Sequence, residues 1–218
     1  MPGIPDMAQG GVFLTEGAAG PQEVLIDVPG GEPRGIAIIG HPQPLLGGNA
    51  RHKVPHFLAR ALCDAGWLVA RPNFRGAGRS AGTHDAGIGE TDDVLLLHAS
   101  LRASRPGLPV ALVGFSFGAF VLARAASRLA AGGDPAWRVC LAGMPWGEVE
   151  GGRRYDTPRD LPEALVIHGE RDERVPLESI MEWARPARQA VVVVPDADHF
   201  FTGRLPVLRR LVLGWLAG

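Results

Sequence analysis

The chain has 218 residues, enough for one domain (1–218) with a sizeable core, and its 46% hydrophobic and 21% charged residues are ordinary for a soluble globular protein. With a formal net charge of −1, nothing argues for nucleic acid or an anionic membrane as partner, and neither is expected. No apolar run is long enough to span a membrane, since Leu205–Leu216 is broken by Pro206, Arg209, Arg210 and Gly214.

Met1–Gly10 has no basic segment and no apolar core, so it does not read as a signal peptide; residues 1–10 are expected to be flexible and the protein cytoplasmic. Val12–Thr15 and Glu23–Val28 look like short strands, with Pro29–Gly31 as the turn. Gly35–Gly40 is continuously apolar, as a strand buried on both faces should be. Val54–Ala65 has helical spacing, and His52 and His56 are read as surface residues of that helix rather than metal ligands. Trp67–Ala70 is the next strand. Asn73–Gly89 is a long Gly- and Arg-rich loop, followed by a helix over Thr91–Ala103 with Thr91 as its N-cap. A strand at Val110–Phe115 runs into a helix at Phe117–Ala131, stopped by Gly132-Gly133. Arg138–Ala142 is a strand, Glu150–Pro162 is polar and irregular, and Ala164–His168 is a strand. A helix over Leu177–Ala184, a strand over Gln189–Val194 and a helix over Leu205–Leu216 complete the chain. The succession predicts an α/β fold: a mostly parallel, doubly wound sheet of about eight strands with helices on both faces and no cap domain. The two cysteines, Cys63 and Cys140, are expected as buried free thiols rather than a disulfide or a metal site.

Ligands of such sheets bind beyond the C-terminal strand ends, and three chemically suggestive residues fall there. Ser116 is the centre of Gly114-Phe115-Ser116-Phe117-Gly118, a G-x-S-x-G at a strand-to-helix turn. Its alternative reading is a turn serine that caps the helix. A serine hydroxyl is a poor nucleophile at neutral pH and needs a base, and that base needs an acid to fix its tautomer. His199, after the last strand, is the candidate base, with His168 as its rival. Asp172, on the loop after Ala164–His168, is the candidate acid, with Glu170 and Glu173 competing. Asp196 and Asp198 are expected to shape the turn around His199.

An oxyanion hole needs fixed N–H donors. One is expected from Phe117, directly after the serine. The other should come from His41-Pro42-Gln43-Pro44-Leu45, where neither proline has an N–H. Gln43 is the only donor between them, and Leu45 is a substitute. His41 is read as a loop brace. Asn73–Gly82 lacks the lysine and Ser/Thr of a P-loop and is read as a structural turn near the site rim. His84 and Asp85 receive no assigned role, and no spacing resembles a metal site.

With these motifs the chain resembles the α/β-hydrolase superfamily over essentially its whole length. It is most similar to small, lid-less bacterial hydrolases related to dienelactone hydrolase. The residues that carry the resemblance are His41–Leu45, Asn73–Ser80, Gly114–Gly118, His168–Pro176 and Ala197–Phe201, in that order. The resemblance implies Ser116, Asp172 and His199 as the triad and Gln43 and Phe117 as oxyanion donors, with no cofactor and no metal. The chain departs from dienelactone hydrolase in having serine as nucleophile, and has glutamine where close relatives commonly carry a second histidine. The expected activity is hydrolysis of small or short-chain carboxylic esters through an acyl-enzyme, in an open site walled by Leu45, Leu46, Trp146 and Phe200. Thioester hydrolysis, acyl transfer, peptide cleavage and perhydrolysis use the same groups, and a non-catalytic binding protein is the reading from a different class.

Overall fold

The computed structural model describes residues 9–218, so most of the segment expected to be flexible lies outside the described residues. In chain order the elements are β1 (Gly11–Gly17), β2 (Gly20–Asp27), β3 (Gly35–Gly40), α1 (Lys53–Asp64), β4 (Trp67–Pro72) and α2 (Ile88–Ser104). There follow β5 (Val110–Phe115), α3 (Phe117–Ala131), β6 (Arg138–Ala142), β7 (Gly147–Val149), β8 (Arg153–Tyr155), β9 (Ala164–Gly169), α4 (Leu177–Ala187), β10 (Val191–Val194) and α5 (Leu205–Trp215). Eight strands form one sheet in the order β1-β2-β4-β3-β5-β6-β9-β10. β1, β2 and β4 pair antiparallel, and every pairing from β4 to β10 is parallel.

Strands β3, β4 and β5 are buried at every residue, which explains their unbroken apolar sequences. Side chains alternate between two cores, as the period of two requires. Ile36, Ile38 and Leu112 face Val94, Leu97 and Phe120 of the α2–α3 layer. Ala37, Ile39 and Val113 face Leu58 and Leu62 of α1 and Leu208 of α5.

Pro29–Gly31 leads from β2 toward β3, as its place after Val28 indicates, and the β1–β2 turn is at Ala18-Ala19. The structure corrects the sequence reading in three places. α2 begins three residues before Thr91, because the buried Glu90 carboxylate accepts from the N–H groups of Asp85 and Gly87 and so starts the helix itself. Thr91 Oγ1 points inward and donates to Gly87 O at 2.6 Å. The segment read as irregular after Glu150 contains half of a hairpin, β7–β8, with Gly147 opposite Tyr155. Its strands are too short for alternation to show. Finally, Cys63 is only partly buried, while Cys140 is fully so; both are free thiols.

Candidate active site

Strand β5 ends at Phe115 and α3 starts at Phe117, so Ser116 alone makes the turn. It sits at φ 56°, ψ −125°, a conformation L-residues rarely adopt. The surroundings hold it there: Ser116 N–H donates to Ala142 O at 2.9 Å, and Ser116 O accepts from Ala119 N–H at 2.8 Å. A Cβ at Gly118 would collide with the Gly40 backbone, and one at Gly114 with the backbone of Ala119. Glycine at both places thus lets the turn pack directly on β3. Although Ser116 occupies the N-cap position, its hydroxyl makes no capping bond. Instead Oγ lies 2.9 Å from His199 Nε2.

His199 stands on the loop after β10, and its Nδ1 is 2.7 Å from Asp172 Oδ2. Proton donation from Nδ1 to the carboxylate leaves Nε2 free to accept from the serine hydroxyl. The other Asp172 oxygen accepts the N–H groups of Arg174 (3.0 Å) and Val175 (2.9 Å), which fixes the carboxylate. The Asp172 side chain is 0% exposed and that of His199 6%, so water does not compete for this pair. Phe115 and Phe200 hold the imidazole, with ring centroids at 5.4 and 5.2 Å. The competing residues are placed otherwise. Glu173 is exposed, and Glu170 accepts from Asp196 N–H. His168 is fully buried, with Nε2 2.9 Å from Val175 O and 3.6 Å from Asp172 Oδ2. Burial holds its pKa below the ordinary value, so it is a neutral strut under the acid loop. Asp196 pairs with Arg171 and Arg204, and Asp198 Oδ1 accepts from Thr202 N–H, both shaping the His199 turn.

The loop after β3 faces the serine from the other side. Among the described residues, no protein acceptor engages the N–H of Gln43 or of Phe117. Leu45 N–H, the substitute donor, is instead turned to Gln43 Oε1 at 3.4 Å. Gln43 Nε2 donates to Tyr155 Oη at 3.0 Å, so the glutamine side chain ties the loop to the β7–β8 hairpin. His41 accepts from Phe74 N–H through Nε2 (2.9 Å), which leaves Nδ1–H to donate to Pro42 O (2.7 Å). Complete burial pushes its pKa down to about 3, in keeping with a neutral brace. The Asn73–Gly82 loop is held in turn by Asn73–Glu23, Arg79–Glu23 and Arg75–Asp93 contacts of 2.6–2.7 Å. His84 packs on the Phe117 ring beside Glu90, and Asp85 accepts from Gly89 N–H.

Ser116, His199 and Gln43 border a cleft of about 110 Å³. A narrower lobe of about 30 Å³ continues toward Pro145, Val149, Arg153 and Tyr155. Of the expected walls, Leu46 and Phe200 line the cleft. Leu45 and Trp146 do not. The tight helical turn Pro44–Leu46 sends Leu45 outward, 68% exposed, and Trp146 packs against the core beneath the Arg159 guanidinium. Sequence reasoning missed His52, which was read as a surface residue. It immediately precedes α1, its ring packs near Phe115 and Phe200, and it borders the cleft. Burial, and secondarily His199, lower its pKa. His56 is exposed and lies beside Arg71. Arg174, Arg153 and Tyr155 were missed as well, and nothing in local sequence marks them. A larger cavity of about 360 Å³ lies against β1, β2 and α1, lined in part by Arg51, Arg60 and Cys63, and holds no hydroxyl–imidazole pair. Among the described residues no group of His, Cys, Asp and Glu side chains is arranged to hold a metal ion, and no helix is long and apolar enough to cross a membrane.

A lid-less α/β serine hydrolase from Xanthomonas campestris is 32% identical to the chain, with a TM-score of 0.84 over 100% of this chain and 97% of that one. The chain belongs to the lid-less α/β serine hydrolases. An α/β serine hydrolase homologue from Coxiella burnetii is 33% identical, with a TM-score of 0.81, covering 93% of this hydrolase and 95% of that chain. An uncharacterised protein of Rickettsia prowazekii is 31% identical over 178 residues, 76% of this hydrolase and 71% of that protein. No family model matches the chain. In this hydrolase only the β7–β8 hairpin interrupts the connection from β6 to β9, which is where the open cleft is bordered.

Proposed function

We propose that the hydrolase cleaves small or short-chain carboxylic esters through an acyl-enzyme on Ser116. The single observation that carries this reading is the continuous hydrogen-bonded series Ser116 Oγ–His199–Asp172, with contacts of 2.9 and 2.7 Å. Ser116 Oγ attacks the ester carbonyl while His199 Nε2 takes its proton, and Asp172 stabilises the resulting imidazolium. The tetrahedral oxyanion is received by the N–H groups of Phe117 and Gln43, each such donor being worth about 10²–10³ in turnover. Collapse expels the alcohol, protonated by His199. Water, activated by the same imidazole, then releases the acid and restores the serine. The modest cleft favours short acyl groups.

The test is an acyl-chain series of p-nitrophenyl esters, run alongside fluorophosphonate labelling. Short esters should be turned over fastest, and labelling should depend on Ser116. Failure of the folded protein to label, or full activity in Ser116→Ala, overturns the reading. Thioester, peptide and peroxyacid substrates in the same panel separate the other outcomes available to this machinery.

A further inference from the structure

We propose that His52 determines specificity in the cleft, its imidazole N–H binding an uncharged oxygen, a hydroxyl or ether, that the ester carries near the reacting carbonyl. The inference rests on the ester reading above and names its substrate class. Most polar side chains that border the larger lobe are already engaged within the protein: Ser116 with His199, His199 also with Asp172, Gln43 with Tyr155 and Arg174 with Glu150. His52 is the exception. Among the described residues neither of its ring nitrogens has a hydrogen-bond partner.

The helix that His52 precedes does not use its side chain. His52 occupies the N-cap position of α1, where a side chain ordinarily accepts from a helical N–H, yet it makes no such bond. Its ring lies instead against two rings of the site, Phe115 at 6.1 Å and nearly parallel (19°), and Phe200 at 5.6 Å. Both of those rings also pack on His199, at 5.4 and 5.2 Å. One aromatic pair therefore orients His52 and the imidazole beside Ser116 together. Nδ1 of His52 is buried and meets no partner. A buried N–H without an acceptor is rarer in proteins than a bare lone pair, so Nδ1 carries the lone pair and Nε2 the proton. Nε2 is not cut off in the same way, and its N–H is left for the cleft. Burial and the neighbouring His199 keep the ring in its neutral form. A neutral donor set beside Leu46 and Phe200 suits an uncharged acceptor, because the hydrogen bond forms without desolvating an ion. A hydrocarbon chain in the same place would leave the N–H covered and unpaired, so the site discriminates against it.

The experiment compares kcat/KM of the whole protein for esters matched in shape, each value divided by that ester's rate constant for hydrolysis by hydroxide. One pair places the oxygen on the acyl side, p-nitrophenyl 3-methoxypropanoate against p-nitrophenyl pentanoate. A second places it on the alcohol side, 2-methoxyethyl acetate against butyl acetate. In at least one pair the ether should be preferred by about 3-fold or more. That preference should fall toward unity in His52→Phe, whose ring can keep the packing on Phe115 and Phe200. His52→Gln, which keeps an N–H donor, should retain more of it. No ether preference in either pair, or one of the same size in His52→Phe, overturns the proposal. The comparison in the unmutated protein stands even where a substitution prevents folding. Failure of the ester reading itself looks different: no ester of either kind is turned over.

Discussion

The floor and the rim of the cleft are built on different principles. On the floor, Ser116, His199, Asp172 and the Gln43 amide each sit just beyond the end of a parallel strand, and each is tied down from several sides. On the rim, Leu46 and Arg174 stand on short turns and Arg153 on the three-residue strand β8, all with some exposure, and Arg174 is only loosely paired. A reaction needs its groups fixed to a fraction of an ångström, whereas choosing a substrate needs only the right chemistry within reach. The floor should therefore decide whether any ester is cleaved, and the rim which one.

Substitutions can break that division. Ser116→Ala should lower kcat by on the order of 10⁶ for every ester while the thermal unfolding profile is kept. Asp172→Asn should cost about 10⁴ in kcat, because an amide no longer selects the Nδ1–H tautomer of His199; a loss confined to particular substrates would place Asp172 on the rim instead. Gly118→Ala forces a methyl into the Gly40 backbone and should cost about 1–3 kcal/mol of stability in chemical denaturation.

Acid should act on the floor through His41. Its pKa is about 3 when folded and rises to the ordinary histidine value, about 6.5, on unfolding. Between those values the unfolded chain binds the extra proton, so stability is lost as pH falls below about 6.5. From pH 7 to 5 this one group contributes a loss of about 2 kcal/mol, measurable by denaturant titration at the two pH values. The smallest effect belongs to the rim. Tyr155→Phe leaves the buried Gln43 Nε2 without its acceptor and should cost about 1 kcal/mol, with KM rising more than kcat falls.

Legibility in the sequence follows the same division. Strands β3, β5 and β6 and helix α3 have the boundaries that their apolar runs and glycines indicate, since burial on both faces leaves little freedom of interpretation. Ser116, Asp172 and His199 could be singled out because strand ends and turn residues mark them. The proline-flanked Gln43 could be named as a candidate donor from covalent chemistry alone, and its N–H is engaged by no protein acceptor among the described residues. Its side-chain bond to Tyr155 could not, because it joins residues far apart in sequence across a hairpin too short to announce itself. His52 was hidden for a related reason. Spacing put it on a helix surface, but it lies just before α1, where aromatic rings from β5 and the His199 loop gather beside it. Leu45 and Leu46 were indistinguishable as neighbours until the turn at Pro44–Leu46 pointed one outward and left the other on the cleft.

The hairpin has a consequence for protein engineering. Gly147 and Tyr155 are direct cross-strand partners, so this excursion leaves and rejoins the scaffold at nearly one point. Segments of other lengths spliced between those two residues should leave β6 and β9 in place as long as an apolar residue still fills the buried position of Val149. The connection is a socket for interchangeable inserts, through which one engine could be refitted for new cargo.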